Sequence, residues 1–277
     1  MGNNSRSRDS RAKRKAQKPH DGGAAFLPKN VPAVLAAETA FRPDPKLPGE
    51  RHLFVSEGAV TEPLYLQSMV NFIVEHCEEA RNRFAIHGEG LNTLGLLKKA
   101  EKLAPGFQHI WVIYDKDEFP GDDFDNTVSR CNALTKKSAQ NGMKRTFHAI
   151  WSNECFEVWL LFHFMFLSAG VPRKEYAEKL SEQMGKKYDK LSPPGFEALS
   201  PKLNGAIRNA KRQMENFDAH IPPSKRNPCT NFYELAENLM PYIKAAQEAK
   251  RIEEAARRKD KMRMGESETV RRAKNSS

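Results

Sequence analysis

No apolar run in this chain is long enough to cross a bilayer, which takes roughly 20 residues. The longest candidate, residues 155–167, is interrupted by Glu157 and His163 and reads as a buried helix instead. The polar, basic amino end lacks the apolar core of a secretory signal. Cysteine is scarce: Cys77, Cys131, Cys155 and Cys229 lie far apart, with no CxxC pair and no zinc-ligand spacing. These absences predict reduced thiols, a cytoplasmic chain and no membrane association. Also missing are a Walker-type GxxxxGK[ST], an HExxH, a GxSxG and a glycine-rich loop after the first predicted strand. Their lack argues against a nucleotide hydrolase, a zinc protease, a serine hydrolase and a dinucleotide enzyme. Neither a helix-turn-helix pattern nor an RNA-binding aromatic motif is apparent, and no internal repeat is found.

What the chain has is charge, unevenly placed. Its 277 residues carry a formal net charge of +10. Residues 1–18 hold seven basic side chains against Asp9, and residues 250–277 hold ten basic against five acidic ones. The ends thus carry +6 and +5, leaving about −1 for everything between. Basic ends suit contact with phosphate backbones and equally suit plain solubilisation.

Between the ends, short apolar strands alternate with helical patterns. Residues 1–45 lack periodicity and are expected to form a disordered basic arm. A strand is expected at 52–56, a helix from Thr61 or Glu62 to about residue 81, and a strand at 83–87. A helix at 92–103, the apolar strand 109–114, a helix at 122–140 and a strand at 144–151 follow. Alternation of this kind implies an α/β fold with a mostly parallel sheet covered by helices on both faces. After residue 152 the pattern turns helical, with expected helices at 154–167, 173–187, 200–217 and 231–250. The expected organisation is an α/β core over 46–152, a helical part over 153–250 packed on it, and a charged tail over 251–277.

In such sheets ligands gather beyond the carboxyl ends of the strands. Glu57 follows the first strand, and Asp115 and Asp117 follow the third. Three carboxylates meeting at one sheet edge suit Mg²⁺ or Mn²⁺, with water and substrate phosphate completing the shell. The bland alternative is a set of solvated loop acids. An EF-hand is excluded, because the fifth, sixth and twelfth places counted from Asp115 hold Phe119, Pro120 and Asn126. Glu157 and His163 stand six apart, about 600° around a helix, so they face different ways. Glu157 is either an extension of the metal site or a buried acid, whereas His163 reads as core. Lys225 and Arg226 are candidates to hold a nucleic-acid phosphate, against the simpler reading of an exposed basic loop.

Four blocks then stand out together: residues 54–65 with Glu57-Gly58, Thr61-Glu62 and Tyr65; Asp115-Lys116-Asp117; residues 152–163; and Asn227-Pro228-Cys229-Thr230. They resemble, in order, the signature blocks of the RloB-like family, over about residues 40–245. One departure is Glu154, where the pattern suggests proline. That family resembles Toprim domains, in which a glutamate after the first strand serves acid–base chemistry and an Asp-x-Asp pair holds Mg²⁺. The resemblance implies a Toprim-like, metal-dependent nuclease acting on DNA or RNA, with Glu57, Asp115 and Asp117 as its catalytic and metal residues. Glu62 is then a further metal candidate, although a helix amino terminus alone would favour an acid there. The resemblance also implies a role in phage defence and abortive infection beside an ATPase partner. The alternative is a non-catalytic regulatory or nucleic-acid-binding subunit of such an ATPase complex.

Overall fold

The computed structural model describes residues 47–116 and 121–274. The expected arm over 1–45 and Asp117 therefore lie outside the described residues. Strands β1 (His52–Ser56), β2 (Phe84–Gly88), β3 (His109–Asp115), β4 (Thr146–Asn153) and β5 (Cys229–Thr230) form one sheet in the order β2-β1-β3-β4-β5. The first four run parallel and β5 is antiparallel to β4. The chain winds outward from β1 to β2 and then back across to β3. Its topological switch point therefore lies between β1 and β3, where open α/β sheets leave a crevice.

Side chains alternate across the strands, as a pleat demands. Leu53, Val55, Ile110, Val112 and Tyr114 face helices α2 (Thr93–Leu103) and α3 (Gly121–Gln140). Phe54, Trp111 and Ile113 face the other layer, built on α1 (Thr61–His76). That layer continues through α4 (Glu157–Phe162), α5 (Arg173–Met184), α6 (Phe196–Leu199), α7 (Leu203–Glu215), α8 (Phe232–Asn238) and α9 (Met240–Lys274). The α/β class and the helical second half are as expected. All four cysteines are free and buried. Among the described residues no helix is long and apolar enough to cross a membrane.

Helix α1 ends at His76, short of the expected residue 81, and α5 ends at Met184, before Gly185 at φ 65°, short of the expected 187. Three further helices differ from their expected bounds for local reasons. The helix expected at 154–167 is reduced to α4. At its start the Phe156 N–H is donated to Asp115 Oδ2 (3.1 Å), and at its end the Phe162 carbonyl accepts from Asn209 Nδ2 (2.9 Å). The helix expected at 200–217 begins as α6 and passes through a 3₁₀ turn (Ser200–Lys202) before α7. Pro201, which lacks an N–H, stands in that turn. Pro241 has the same effect near Leu239, where the helix expected at 231–250 splits into α8 and α9. Helix α9 then continues beyond residue 250, with ion pairs Glu253–Arg257 and Glu254–Arg258 spaced one turn apart.

The short strand β5 is completed by a side chain. Asn231 Oδ1 accepts from the Trp151 N–H (2.7 Å) and its Nδ2 donates to the Ala149 carbonyl (2.9 Å). Thr230 Oγ1 donates to the Trp151 carbonyl (2.8 Å). These bonds clamp the carboxyl end of β4, from which α4 departs. Asn231→Ala would strand the buried Trp151 N–H and the half-buried Ala149 carbonyl, so a loss of about 2–3 kcal/mol is expected in urea unfolding.

At the opposite end of the sheet, the rings of His52, His109 and His148 stack in a row, with centroids 4.9 and 5.2 Å apart. Burial, then the neighbouring histidines, lowers the pKa of His52 to about 3; burial, then His109, lowers that of His148 to about 4. The folded-state values lie below the unfolded one, so their stabilisation is present above pH ~6.5 and is lost as pH falls toward the folded values. For His52 the change from pH 7 to pH 5 amounts to about 2 kcal/mol. A His52→Gln chain should therefore lose less stability relative to wild type at pH 5 than at pH 7, by about that amount in paired urea titrations.

Candidate functional site

The cavity at the switch point has a volume of about 370 Å³ and is lined by Glu57, Glu62, Asp115 and Glu157, along with Arg173 and Lys190. Each acid arrives from a different local device. Glu57 follows β1, and its N–H continues the ladder to the Ile113 carbonyl of β3 (2.8 Å). Gly58 then allows the chain to pass close to Glu62: a Cβ there would sit 2.6 Å from Glu62 Cδ. Gly88 plays a matching part at the end of β2, where a Cβ would meet Pro63 Cγ at 2.5 Å. The EGxxTE spacing thus folds two carboxylates back onto one cavity. Glu62 lies in the first turn of α1, where the helix dipole favours an acid, yet its side chain also lines the cavity.

Asp115 closes β3. Its N–H donates to Glu57 Oε2 (3.4 Å), and its Oδ2 accepts from the Phe156 N–H at the entrance to α4. Glu157, the first residue of α4, is 2% exposed, and its Oε1 accepts from the Tyr188 hydroxyl (3.2 Å) and Lys190 Nζ (3.0 Å). Glu157 is thus a buried acid bonded to side chains, and it lines the cavity.

The electrostatics are those of carboxylates crowded out of water. Burial, assisted by Glu62, raises the pKa of Glu57 to about 7, against the Asp115 N–H, which lowers it. Burial and then the Glu62 and Glu157 charges push the Asp115 carboxyl well above its usual range. Glu62 is raised in the same way, by burial and by Glu157, with Lys190 and Arg173 opposing. Glu57 Oε1 is buried without a hydrogen-bond partner among the described residues. An orphaned carboxylate oxygen beside two further desolvated acids is a donor set that a hard divalent cation would satisfy. Among the described residues, however, no three His, Cys, Asp or Glu side chains stand as a ready-made metal cage. Glu57, Glu62 and Asp115 are thus the described residues whose oxygens suit such an ion, and Asp117 lies outside the described residues.

His163 is a core residue. It is 5% exposed, bonded through Nδ1 to the Trp159 carbonyl (3.0 Å), and its pKa is lowered to about 4 by burial. Lys225 and Arg226 are not brought to the cavity. Arg226 donates from Nε to the Ile221 carbonyl (2.8 Å) and from Nη2 to that of Ala219 (3.0 Å), tying its own loop together. The neighbouring Asn227–Thr230 block serves the β4–β5 clamp instead. Arg173 and Lys190 were missed by sequence reasoning. Arg173 opens a helix directly after Pro172 and Lys190 ends a lysine-rich loop, and both positions read as solvated charge.

The RloB-like protein family model matches residues 52–239, which hold all the strands and every described wall of the cavity. No curated protein and no solved structure matches the chain. With more than half of its length matched, the chain belongs to the RloB-like protein family.

Proposed function

We propose that this protein is a Mg²⁺- or Mn²⁺-dependent phosphodiesterase that cuts DNA or RNA, and that it acts in phage defence beside an ATPase partner. The observation that carries the chemical part is the meeting of Glu57, Glu62 and Asp115 at the β1–β3 switch point, desolvated and facing one cavity. The placement of a glutamate after the first strand and an aspartate at the end of the third resembles a Toprim-like site. The defence role and the ATPase rest on the family resemblance.

Glu57, Glu62, Asp115 and Asp117 are the residues that would hold the ion, with Glu157 at the margin. A divalent cation in such a place activates water and stabilises the leaving oxygen of a phosphodiester. Glu57, on the lining of the cavity, keeps one oxygen on the Asp115 N–H, and its other oxygen is buried without a hydrogen-bond partner among the described residues. Its place on the lining and its raised pKa suit it to take a proton from an attacking water or return one to the leaving oxygen. The Phe156 N–H holds the Asp115 carboxylate at the entrance to α4.

The test is cleavage of labelled single-stranded and duplex DNA, tRNA and other RNA with Mg²⁺ or Mn²⁺, repeated with EDTA and with the ATPase partner added. Metal-dependent cutting is expected; no cutting of any substrate under all these conditions rejects the activity. A second reading, a non-catalytic regulatory subunit, has one observation on its side: Lys190 already neutralises Glu157. That reading predicts complex formation and defence unchanged by Glu57→Gln.

A further inference from the structure

We infer that the cavity takes an unpaired strand rather than a duplex, with Arg173 and Lys190 holding the phosphate and Leu91 and Leu191 holding the base. This inference rests on the nuclease reading of the same site and specifies its substrate.

Two features of the cavity call for such a ligand. The first is its mixed charge. The sheet edge and α1 supply acids, while the first residue of α5 and the loop after it supply Arg173 and Lys190 on the same lining. Acids alone would repel a phosphate. Cations built into the same wall give a phosphate a place beside the carboxylates, as charge-assisted contacts do at other phosphate sites. Lys190 reaches Glu157 while its side chain stays 50% exposed, so it can engage a ligand without being withdrawn from the wall.

The second feature is where the exposed apolar side chains lie. Single exposed leucines are ordinary. Here, of the four large exposed apolar side chains among the described residues, one lines this cavity and another directly follows a lining residue in the chain. Leu91, 37% exposed, lines it, and Leu191, 72% exposed, directly follows the lining residue Lys190. They are carried on separate segments, the β2–α2 loop and the loop after α5. The first of these is tied to the catalytic turn, since the Gly90 N–H donates to the Glu57 carbonyl (3.0 Å).

Phosphate-binding cations beside apolar side chains match a nucleotide whose base face is free. In a duplex that face is hidden by stacking and pairing, whereas unpaired strands present it to aromatic or apolar side chains. Aliphatic side chains also serve as wedges between bases. A concave site of about 370 Å³ lies at the small end of ligand pockets and suits one nucleotide rather than a duplex.

The experiment uses the full chain carrying Glu57→Gln, with Mg²⁺ present, and follows binding of a dye-labelled 12-nucleotide strand and of its duplex by fluorescence anisotropy, as DNA and as RNA. The single strand should bind at least ~10-fold more tightly than the duplex. Adding Leu91→Ser with Leu191→Ser should weaken single-strand binding about 10-fold and leave duplex binding unchanged. Arg173→Ala with Lys190→Ala should weaken both. Equal affinity for the two forms, no binding of either, or full single-strand affinity in the leucine variant would overturn the inference; the last outcome would hand the leucines to a protein partner. Cleavage by the wild-type chain separates the two readings. Selective binding without any cutting rejects the nuclease and keeps this inference, while cutting of duplex as fast as single strand does the reverse.

Discussion

Glu57→Gln is expected to lower metal-dependent nucleic-acid cleavage by about 10³-fold while leaving the fold in place. Glutamine keeps the shape of the side chain and an oxygen to accept the Asp115 N–H, so the bond that ties β1 to β3 at the site survives. What it lacks is an oxygen able to gain and lose a proton. The substitution also removes a carboxylate that burial holds at a raised pKa of about 7. The variant should therefore melt no lower than wild type. Initial rates on a labelled oligonucleotide, with a thermal melt of the same preparation, read both effects. A rate within a few-fold of wild type would reduce Glu57 to a structural acid, and a lowered melting temperature would make the rate loss uninformative. Isosteric replacement is chosen over alanine for that reason.

The second large effect concerns the ion. Adding Mn²⁺ at about 100 times its dissociation constant to the EDTA-treated chain should stabilise it by about 2.7 kcal/mol. For a chain of this size that raises the melting temperature by about 5–10 °C. Asp115→Asn should abolish the rise. Asparagine still offers an oxygen to the Phe156 N–H, so the entrance to α4 is retained, but the charge that draws the ion is gone. The metal-free variant should be at least as stable as the metal-free wild type, because the lost carboxylate was crowded by Glu62 and Glu157. Equal stabilisation of both chains by Mn²⁺ would place the ion elsewhere.

Much of this site could be read from the sequence because its chemistry sits beside its strongest local signals. The continuous apolar strand ending in Asp115 and the short strand before Glu57-Gly58 need no tertiary information to recognise. Strand ends in a parallel sheet are also where ligands bind. Glu62 was visible but ambiguous, since its place in a helix's first turn explains an acid without any site. In the structure it stands in that first turn and also lines the cavity. Lys190 and Arg173 were not legible, because what brings them to Glu157, Glu62 and Asp115 is the packing of a helix and a loop some 60–75 positions beyond Asp115 in the chain. Lys225 and Arg226 are the opposite case, for they do not line the cavity. They lie next to a family block and carry the right charge, yet that block closes the sheet through Thr230 and Asn231. Helix ends failed where side chains compete for backbone partners, as at Phe156 and Phe162, which no periodicity records. The helical break at Leu239 was, by contrast, available in Pro241.

The central claim is that Glu57 and Asp115 belong to one divalent-ion site, and calorimetric titration of Mn²⁺ into the EDTA-stripped full chain tests it most directly. The account predicts saturable binding by the wild-type chain, none by Asp115→Asn, and weakened binding by Glu57→Gln. No saturable heat with the wild type, or undiminished binding by Asp115→Asn, would contradict it.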